Sequence, residues 1–215
     1  MDKKKEYFIF GAGGAGKAVA AILLELKDES LFCGFLDDDK ALSESEIFNK
    51  QIFTDYEGII EKDNNVLFIA VGSIPIRKYI FDRINSINPS LFNDTIIHPK
   101  AIVNPRVRVG KACIVYPGVI FDPDVEVKNN VMINKGTSIG HDVTIDSHSI
   151  ISPNCSIGGN VHIGENTFIG MNCCIKQGLQ IGAGVIIGMG SVIIKDIPDK
   201  AVVVGNPGRI IKYSN

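Results

Sequence analysis

The strongest constraint on the fold is a six-residue repeat in the second half of the chain. Ile, Val or Phe stands at every sixth position from Ile97 to Ile193, which makes 17 consecutive occurrences. The residue four places after each of them is small or branched throughout. A helix repeats every 3.6 residues and a strand every two, so neither alone produces this pattern. Six prolines also oppose a helix here: Pro99, Pro105, Pro117, Pro123, Pro153 and Pro198.

We call each six-residue unit a hexad and count its places from the Ile, Val or Phe. The pattern predicts a coil of short strands and turns, with the first and fifth places pointing inward. Three hexads would make one triangular turn, so 17 hexads predict between five and six turns. We expect glycines at the second place to allow the bends through positive φ. They are Gly110, Gly140, Gly158, Gly164, Gly170, Gly182 and Gly188.

The first half of the chain has the pattern of a small α/β unit. It predicts strands at residues 7–10, 31–36 and 66–71, and helices at 17–27 and 75–87, the latter opened by a proline. This order is that of a Rossmann-like βαβαβ domain. We therefore expect a first domain over residues 1–93 and a second over residues 94–215.

A glycine fingerprint, Gly11-x-Gly13-x-x-Gly16, joins the first strand to the first helix. Such a turn can cradle a pyrophosphate at a helix N-terminus, and Asp37 follows about twenty residues later, where dinucleotide enzymes place a ribose-binding acid. A full dinucleotide site uses two such halves, so a unit of this size does not favour NAD. A tight strand-to-helix turn without any ligand remains an alternative.

Composition excludes several classes of protein. The net charge is −2, so no basic field recruits nucleic acid. The five cysteines do not have the spacing of a disulfide framework or a zinc ribbon. Apolar stretches are too short to span a bilayer, and the N-terminus lacks the pattern of a signal peptide. We expect a cytoplasmic, reduced protein with no membrane insertion.

The hexads resemble those of the hexapeptide-repeat acyltransferases, whose fold is a left-handed parallel β-helix. Residues 202–212 are similar to the closing segment of that group, with Gly208 and Arg209 where its Gly-x-Pro-Ala-Lys form has Ala and Lys. A glycine-fingerprint domain before such a coil resembles the sialic acid and nucleotide-amino-sugar acetyltransferases, above all those of the bacillosamine pathway. Residues 10–14, 35–38, 69–72 and 76–78 carry this resemblance.

The resemblance implies a nucleotide-linked sugar, not NAD, in the first domain. By it, the diphosphate lies near Gly13, Gly14 and Ala15. The nucleoside contacts Asp37 and Asp38, and Gly72 lines the same pocket. The group often has His where Ala15 stands, so a contact from that side chain is absent here.

His141, followed by Asp142, is the candidate catalytic residue. It is the third residue of its hexad, outside the inward register, so a core histidine is disfavoured and a solvated turn residue is the alternative. The resemblance implies that His141 is the general base and that Asp142 supports it. Acetyl transfer from a thioester needs an attacking amine or hydroxyl that loses its proton, and imidazole suits that task near neutral pH.

The resemblance also implies acetyl-CoA as the donor, bound between the subunits of a homotrimer. The matching positions are Ile150, Gly159, Met171 and Met189. The group commonly has a second histidine where Ile150 stands, and His148 lies two places earlier, so a role for His148 is open. We expect His98 and His162 to be surface residues. The histidine spacing does not match that of hexad zinc enzymes, so no metal is predicted.

Two further predictions concern the cysteines and the activity. Cys113, Cys155 and Cys173 occupy the inward fifth place, whereas Cys174 points outward. The leading hypothesis is acetyl-CoA-dependent N-acetylation of a nucleotide-linked amino sugar, at its 4-amino group. The alternatives are O-acetylation of a sialic acid and, from a different class, a nucleotide-sugar-binding or scaffold protein without turnover.

Overall fold

A computed structural model describes residues 4–26 and 29–214. The chain divides into two compact units, Met1–Thr95 and Ile96–Asn215. We refer to them as the N-terminal unit and the coil. Within the described ranges, no helix is both long and apolar enough to cross a membrane.

The N-terminal unit is built on a five-stranded sheet with the order β3-β4-β2-β1-β5. All neighbours are parallel except β3 and β4, which form an antiparallel hairpin. The strands are β1 Glu6–Phe10, β2 Phe32–Leu36, β3 Glu46–Ile47, β4 Lys50–Phe53 and β5 Asn65–Ile69. The helices are α1 Gly14–Leu26, α2 Glu57–Ile60 and α3 Ile74–Ile87, with short 3-10 turns at Glu29–Leu31, Lys40–Leu42 and Pro89–Phe92.

The predicted strands and helices of this unit are confirmed, with shifted bounds. Helix α1 begins at Gly14, three residues earlier than expected, and the last residue of its predicted span, 27, lies outside the described residues. The strand expected at 66–71 runs over Asn65–Ile69. The hairpin β3–β4 and helix α2 were not predicted, because elements of two to four residues are too short to have a readable period.

The strand order places a topological switch point beside β1. From β1 the chain continues to β2 and β4 on one side, and it then returns to β5 on the other side. The loops after β1 and β5 therefore diverge. Open parallel sheets bind ligands in the crevice that this divergence leaves at the carboxyl ends of the strands.

The coil confirms three hexads per turn. Each two-residue strand from Ile96–Ile97 to Cys174–Ile175 pairs in parallel with the strand 18 residues later, as Ile120 does with Ser138. The first face comprises Ile102–Val103, Ile120–Phe121, Ser138–Ile139, Ser156–Ile157, Cys174–Ile175 and Val192–Ile193. The second comprises Arg108–Val109, Glu126–Val127, Thr144–Ile145, His162–Ile163 and Gln180–Ile181. The third comprises Ile96–Ile97, Ile114–Val115, Met132–Ile133, Ile150–Ile151, Phe168–Ile169, Ile186–Ile187, Ala201–Val204 and Arg209–Tyr213. The last two of these are antiparallel and close the coil.

The inward places form one continuous core along the coil, as predicted. Cys113, Cys155 and Cys173 are buried in it, and Cys174 is exposed. At the fifth place, the hydroxyls of Thr137, Ser149 and Thr167 donate to carbonyls of the next turn, and that of Ser191 donates to the Gly188 carbonyl. For example, the Thr167 hydroxyl donates to the Gly182 carbonyl at 2.9 Å. The core therefore accepts small polar side chains without leaving a buried group unpaired.

The prediction that second-place glycines supply the bends through positive φ is wrong. Positive φ occurs instead at the fourth place of all 14 hexads that begin from Val109 to Ile187. These residues are Ala112, Gly118, Asp124, Asn130, Gly136, Asp142, His148, Asn154, Asn160, Asn166, Asn172, Gly178, Gly184 and Gly190. Second-place glycines serve close stacking, because a Cβ on Gly158 would lie 2.5 Å from the Gln177 nitrogen one turn away.

Candidate active site

His141 and Asp142 form a hydrogen-bonded pair at a corner of the coil. They lie in the turn between Ser138–Ile139 and Thr144–Ile145, where Asp142 has the positive φ of the fourth place. The Nδ1 atom of His141 lies 2.8 Å from Oδ2 of Asp142. Because the carboxylate can only accept, Nδ1 carries the proton and Nε2 is left as the basic nitrogen. The His141 side chain is 58% exposed, so a substrate can reach it.

Gly159 lies directly beside the His141 ring, one turn of the coil further on. A Cβ at Gly159 would come 2.6 Å from Nε2 of His141, so only glycine leaves room for the imidazole there. The Asn160 nitrogen donates to the His141 carbonyl at 2.8 Å and fixes the two turns against each other. In the described part of the chain, the Gly159 N–H has no acceptor. The corner thus combines a basic nitrogen with an unused backbone donor.

The other histidines have different surroundings. His148 is buried, and Asn130 Nδ2 donates to its Nδ1 at 3.0 Å. His162 is partly exposed, with Nε2 2.8 Å from Asp146 Oδ2 and Nδ1 3.1 Å from Gln180 Oε1.

The prediction that His98 is a surface residue is wrong, since it is only 2% exposed. Its Nδ1 accepts from the Lys100 nitrogen at 3.0 Å and closes a turn at the start of the coil. Within residues 4–26 and 29–214, no group of three or more His, Cys, Asp or Glu side chains could hold a metal ion.

In the N-terminal unit, the glycine turn stands at the switch point. Gly11 has a φ of +103°, and a Cβ on Gly16 would lie 1.9 Å from the Gly11 carbonyl oxygen. These two glycines therefore shape the turn and let α1 pack against it. Gly13 and Gly14 face open space, with nothing within 4 Å of a Cβ on either. This leaves the N-terminal end of α1 accessible to an anionic group.

Gly72 lies across the crevice, after β5, and also faces open space. The buried Arg77 guanidinium donates through Nη1 to the Ile69 carbonyl, the last residue of β5, and so holds this side of the crevice. The structure thus places Gly13, Gly14 and Gly72 at the same edge of one sheet.

The two aspartates after β2, Asp37 and Asp38, make different contacts. Asp37 Oδ2 accepts from the Ala12 nitrogen at 2.8 Å, and Asp37 Oδ1 accepts from the Asp39 nitrogen at 3.0 Å. Both oxygens of Asp37 therefore hold the backbone of the glycine turn and of its own loop. Asp38 is half exposed, and its contacts are with the side chains of Tyr56 and Arg83.

Sequence reasoning missed Tyr56 and Arg83. Tyr56 follows β4, a strand that was not predicted, and Arg83 lies in the middle of α3. A signal for Tyr56 would have been its place just after the carboxyl end of a parallel strand. Burial and its hydrogen bond to Asp38 raise the pKa of Tyr56.

The four residues matched to a coenzyme A site do not converge within one chain. Gly159 shares the corner of His141, between the first and second faces. Met171 and Met189 are exposed and stacked at the corner between the third and first faces, where the Gly190 nitrogen donates to the Met171 carbonyl. The side chain of Ile150 is buried on the third face.

Comparisons with known proteins agree with this architecture. Residues 6–84 match the PglD N-terminal domain, and residues 124–159 and 160–195 match the bacterial transferase hexapeptide repeats. No curated protein sequence matches the chain significantly.

Three solved structures are similar over nearly the whole chain. The acetyltransferase domain of PglB from Neisseria gonorrhoeae, solved in complex with acetyl coenzyme A, is 28% identical, with a TM-score of 0.86, over 97% of this chain and 100% of that one. PerB from Caulobacter crescentus, solved with CoA and GDP-perosamine, is 26% identical, with a TM-score of 0.86, over 96% and 97%. WeeI from Acinetobacter baumannii is 25% identical, with a TM-score of 0.87, over 97% and 100%.

The fold is that of a Rossmann-like α/β domain followed by a left-handed parallel β-helix. The chain is an acetyltransferase built from a PglD N-terminal domain and bacterial transferase hexapeptide repeats. It shares this two-part architecture with the PglB acetyltransferase domain, PerB and WeeI.

Proposed function

We propose that this protein transfers the acetyl group of acetyl-CoA to the amino group, at the sugar 4-position, of a nucleotide-linked amino sugar. The observation that carries the proposal is the His141–Asp142 pair, with the basic Nε2 beside Gly159. A partly exposed imidazole that is oriented by a carboxylate is the arrangement expected of a general base. A scaffold protein would have no need of it.

The proposed reaction is a direct transfer. The amine nitrogen attacks the thioester carbonyl carbon as His141 Nε2 accepts a proton from that nitrogen. The carbonyl oxygen gains negative charge in the transition state, and the Gly159 N–H is an unused backbone donor beside His141 that could stabilise it. The carbon–sulfur bond then breaks, and the proton passes to the departing thiolate to give CoA and an acetamido product.

A histidine base is also consistent with the solved relatives. Two structures of the Caulobacter crescentus perosamine N-acetyltransferase are of variants in which one histidine is replaced by Asn or Ala, each in complex with CoA and GDP-perosamine. Those ligands are a nucleotide-linked amino sugar and the product form of an acetyl donor. They support the same two classes of substrate for this chain.

The N-terminal unit would hold the nucleotide. The open glycines Gly13 and Gly14 leave the N-terminal end of α1 to the diphosphate, with Ala15 in its first turn. Asp38 would accept hydrogen bonds from the nucleoside, Asp37 would hold the loop around it, and Gly72 would line the pocket.

We further propose that the active enzyme is a homotrimer with acetyl-CoA between neighbouring protomers. Gly159 lies at one corner of the coil, and Met171 and Met189 lie at another. A ligand that contacts both corners therefore needs two protomers. Sedimentation of the protein with and without acetyl-CoA tests this, and a stable, active monomer would contradict it.

The test of the activity is a thiol-release assay with acetyl-CoA and a panel of UDP-, GDP- and dTDP-linked 4-amino sugars. We expect CoA release with one member of the panel and a product heavier by one acetyl group. Free sialic acid is the comparison substrate, since turnover with it alone would indicate O-acetylation instead. Absence of turnover with every acceptor would support the alternative of a nucleotide-sugar-binding or scaffold protein without turnover.

A further inference from the structure

A group of polar and aromatic side chains from four elements meets at the carboxyl edge of the N-terminal sheet. We call Asp38, Tyr56 and Arg83 the Arg83 cluster. The Tyr56 hydroxyl donates to Asp38 Oδ1 and accepts from Arg83 Nη2 at 2.5 Å. Arg83 Nη2 also lies 3.4 Å from Asp38 Oδ1. Three residues that are distant in sequence therefore share one hydrogen-bond network.

Three aromatic rings lie around the guanidinium of the cluster. The Arg83 guanidinium lies 5.5–5.8 Å from the ring centroids of Phe10, Tyr56 and Tyr79, within the range of cation–π attraction. Phe10 and Tyr56 are buried, and their rings meet edge to face at 5.5 Å. The rings therefore restrict where the guanidinium can lie, and the guanidinium in turn restricts Asp38.

Both contacts of Asp38 fall on the same oxygen. Oδ1 receives Tyr56 and Arg83, whereas Oδ2 has no hydrogen bond with any residue that the structure describes. The Asp38 side chain is 52% exposed. Asp37 differs, since both its oxygens bind backbone nitrogens. The network thus fixes one carboxylate and leaves its second oxygen to accept from a ligand at the edge of the sheet.

The charge of Arg83 also matters at this edge. The proposed substrate carries a negatively charged diphosphate, and an uncompensated carboxylate nearby would repel it. The Arg83 guanidinium is always protonated, so its positive charge offsets that repulsion. Asp38 Oδ2 is still left as a hydrogen-bond acceptor. An exposed ion pair adds little to stability, so folding alone gives little reason for this network.

We infer that Tyr56 and Arg83 are positioning residues for nucleotide recognition, because they fix the Asp38 carboxylate so that Oδ2 faces the nucleoside. This inference rests on the proposed function and deepens it, since it names the groups that make Asp38 competent to bind. It predicts that their loss affects the nucleotide substrate and not the chemical step.

The first measurement is calorimetric titration of the wild-type protein with UDP, GDP and dTDP. Failure of all three to bind would overturn the proposed nucleotide site, and this inference with it. With a nucleotide that binds, Tyr56→Phe should weaken affinity about tenfold, the effect of removing one hydrogen bond to a charged group. The KM for the sugar nucleotide should rise equally, with kcat and the KM for acetyl-CoA unchanged.

The matched control is Tyr7→Phe. Tyr7 donates to Asp94 Oδ2 at 3.1 Å, so this variant also removes one tyrosine–aspartate hydrogen bond from the N-terminal unit, outside the Arg83 cluster. It should leave nucleotide affinity unchanged. Equal weakening by both variants, or native affinity in a folded Tyr56→Phe variant, would overturn the inference.

A second pair of variants separates charge from geometry. Arg83→Lys keeps the charge and loses the planar fork, so we expect partial retention, with affinity lowered about threefold. Arg83→Gln loses the charge and should lower affinity about thirtyfold. Lys and Gln variants with equal losses, or with none, would contradict a role for the Arg83 charge at this site.

Discussion

The coil and the N-terminal unit bring their candidate functional residues together in different ways. In the coil, His141 and Gly159 are neighbours because they occupy the same place in hexads that lie one turn, or 18 residues, apart. In the N-terminal unit, Asp38 follows β2, Tyr56 follows β4 and Arg83 lies in α3, so the three meet only through the way the strands and helices are arranged. Spacing in sequence therefore predicts contact in a repeat, whereas in a sheet the topology decides it.

The largest expected effect is the loss of His141. His141→Ala should lower turnover by ~10²–10⁴, the usual contribution of a positioned general base, with an unchanged melting temperature because no core residue is altered. Steady-state thiol release measures this effect.

His162→Ala is the matched control, since His162 is another partly exposed histidine of the coil with a carboxylate at 2.8 Å. It should retain native turnover. Near-native turnover of His141→Ala at neutral pH would remove His141 from the mechanism.

Two adjacent glycines distinguish catalysis from stacking in the coil. The three atoms nearest to a Cβ on Gly159 all belong to the His141 ring, so Gly159→Ala should lower kcat by roughly 10–100-fold and leave stability nearly unchanged. A Cβ on Gly158 meets backbone, so Gly158→Ala should destabilise the protein by about 1–3 kcal/mol. Thermal unfolding and turnover, measured on both variants, test this. If both variants changed kcat and stability to the same extent, the proposed division between a catalytic Gly159 and a structural Gly158 would be wrong.

The third prediction concerns Asp38 and sharpens the contrast between the units. Asp38→Ala should weaken binding of the sugar nucleotide by about 1–3 kcal/mol, since it leaves a buried partner unpaired, and acetyl-CoA should bind as before. Calorimetric titration of each ligand tests both statements.

Asp39→Ala is the neighbouring control, because the Asp39 side chain caps the 3-10 turn at Lys40–Leu42. This variant should bind the sugar nucleotide as the wild type does.

The wild-type protein should also have no appreciable affinity for NAD. Tight NAD binding, or an equal loss of acetyl-CoA binding in Asp38→Ala, would show that the N-terminal unit is misassigned.

The smallest effect is spectroscopic. Burial, together with Asp94, raises the pKa of Tyr7 to about 12, and burial with Asp38 also raises that of Tyr56. A raised pKa means that the folded state holds the proton more tightly, so the stabilisation is complete below pH ~10 and is lost as the pH rises through the folded-state pKa. At pH ~11 both tyrosines should therefore still be largely protonated and should contribute little phenolate absorbance. Replacing either by Phe should then leave the phenolate absorbance at the wild-type level. A deficit of one phenolate in either variant would contradict the shift.

The sequence predicted the strand register of the coil residue by residue, because one six-residue period runs through the whole region. The inward places and the strand pairing at 18 residues followed from the repeat, and so did the outward place of His141. Errors arose where the apolar pattern carries no signal. The burial of His98 depends on one turn hydrogen bond, and the fourth place takes its positive φ with Asn, Asp or Gly in 12 of 14 hexads, which an apolar count does not detect.

The sequence by itself determined the two-part organisation, the coil, the glycine turn and the outward place of His141. Each of these is encoded by residues close together or regularly spaced, so local propensity and period suffice to find it. Only the tertiary structure decided that Asp37 holds the turn while Asp38 faces outward. It alone also placed Tyr56 and Arg83 beside Asp38, because contacts between distant elements depend on how the strands are ordered in the sheet, and no local pattern encodes that order.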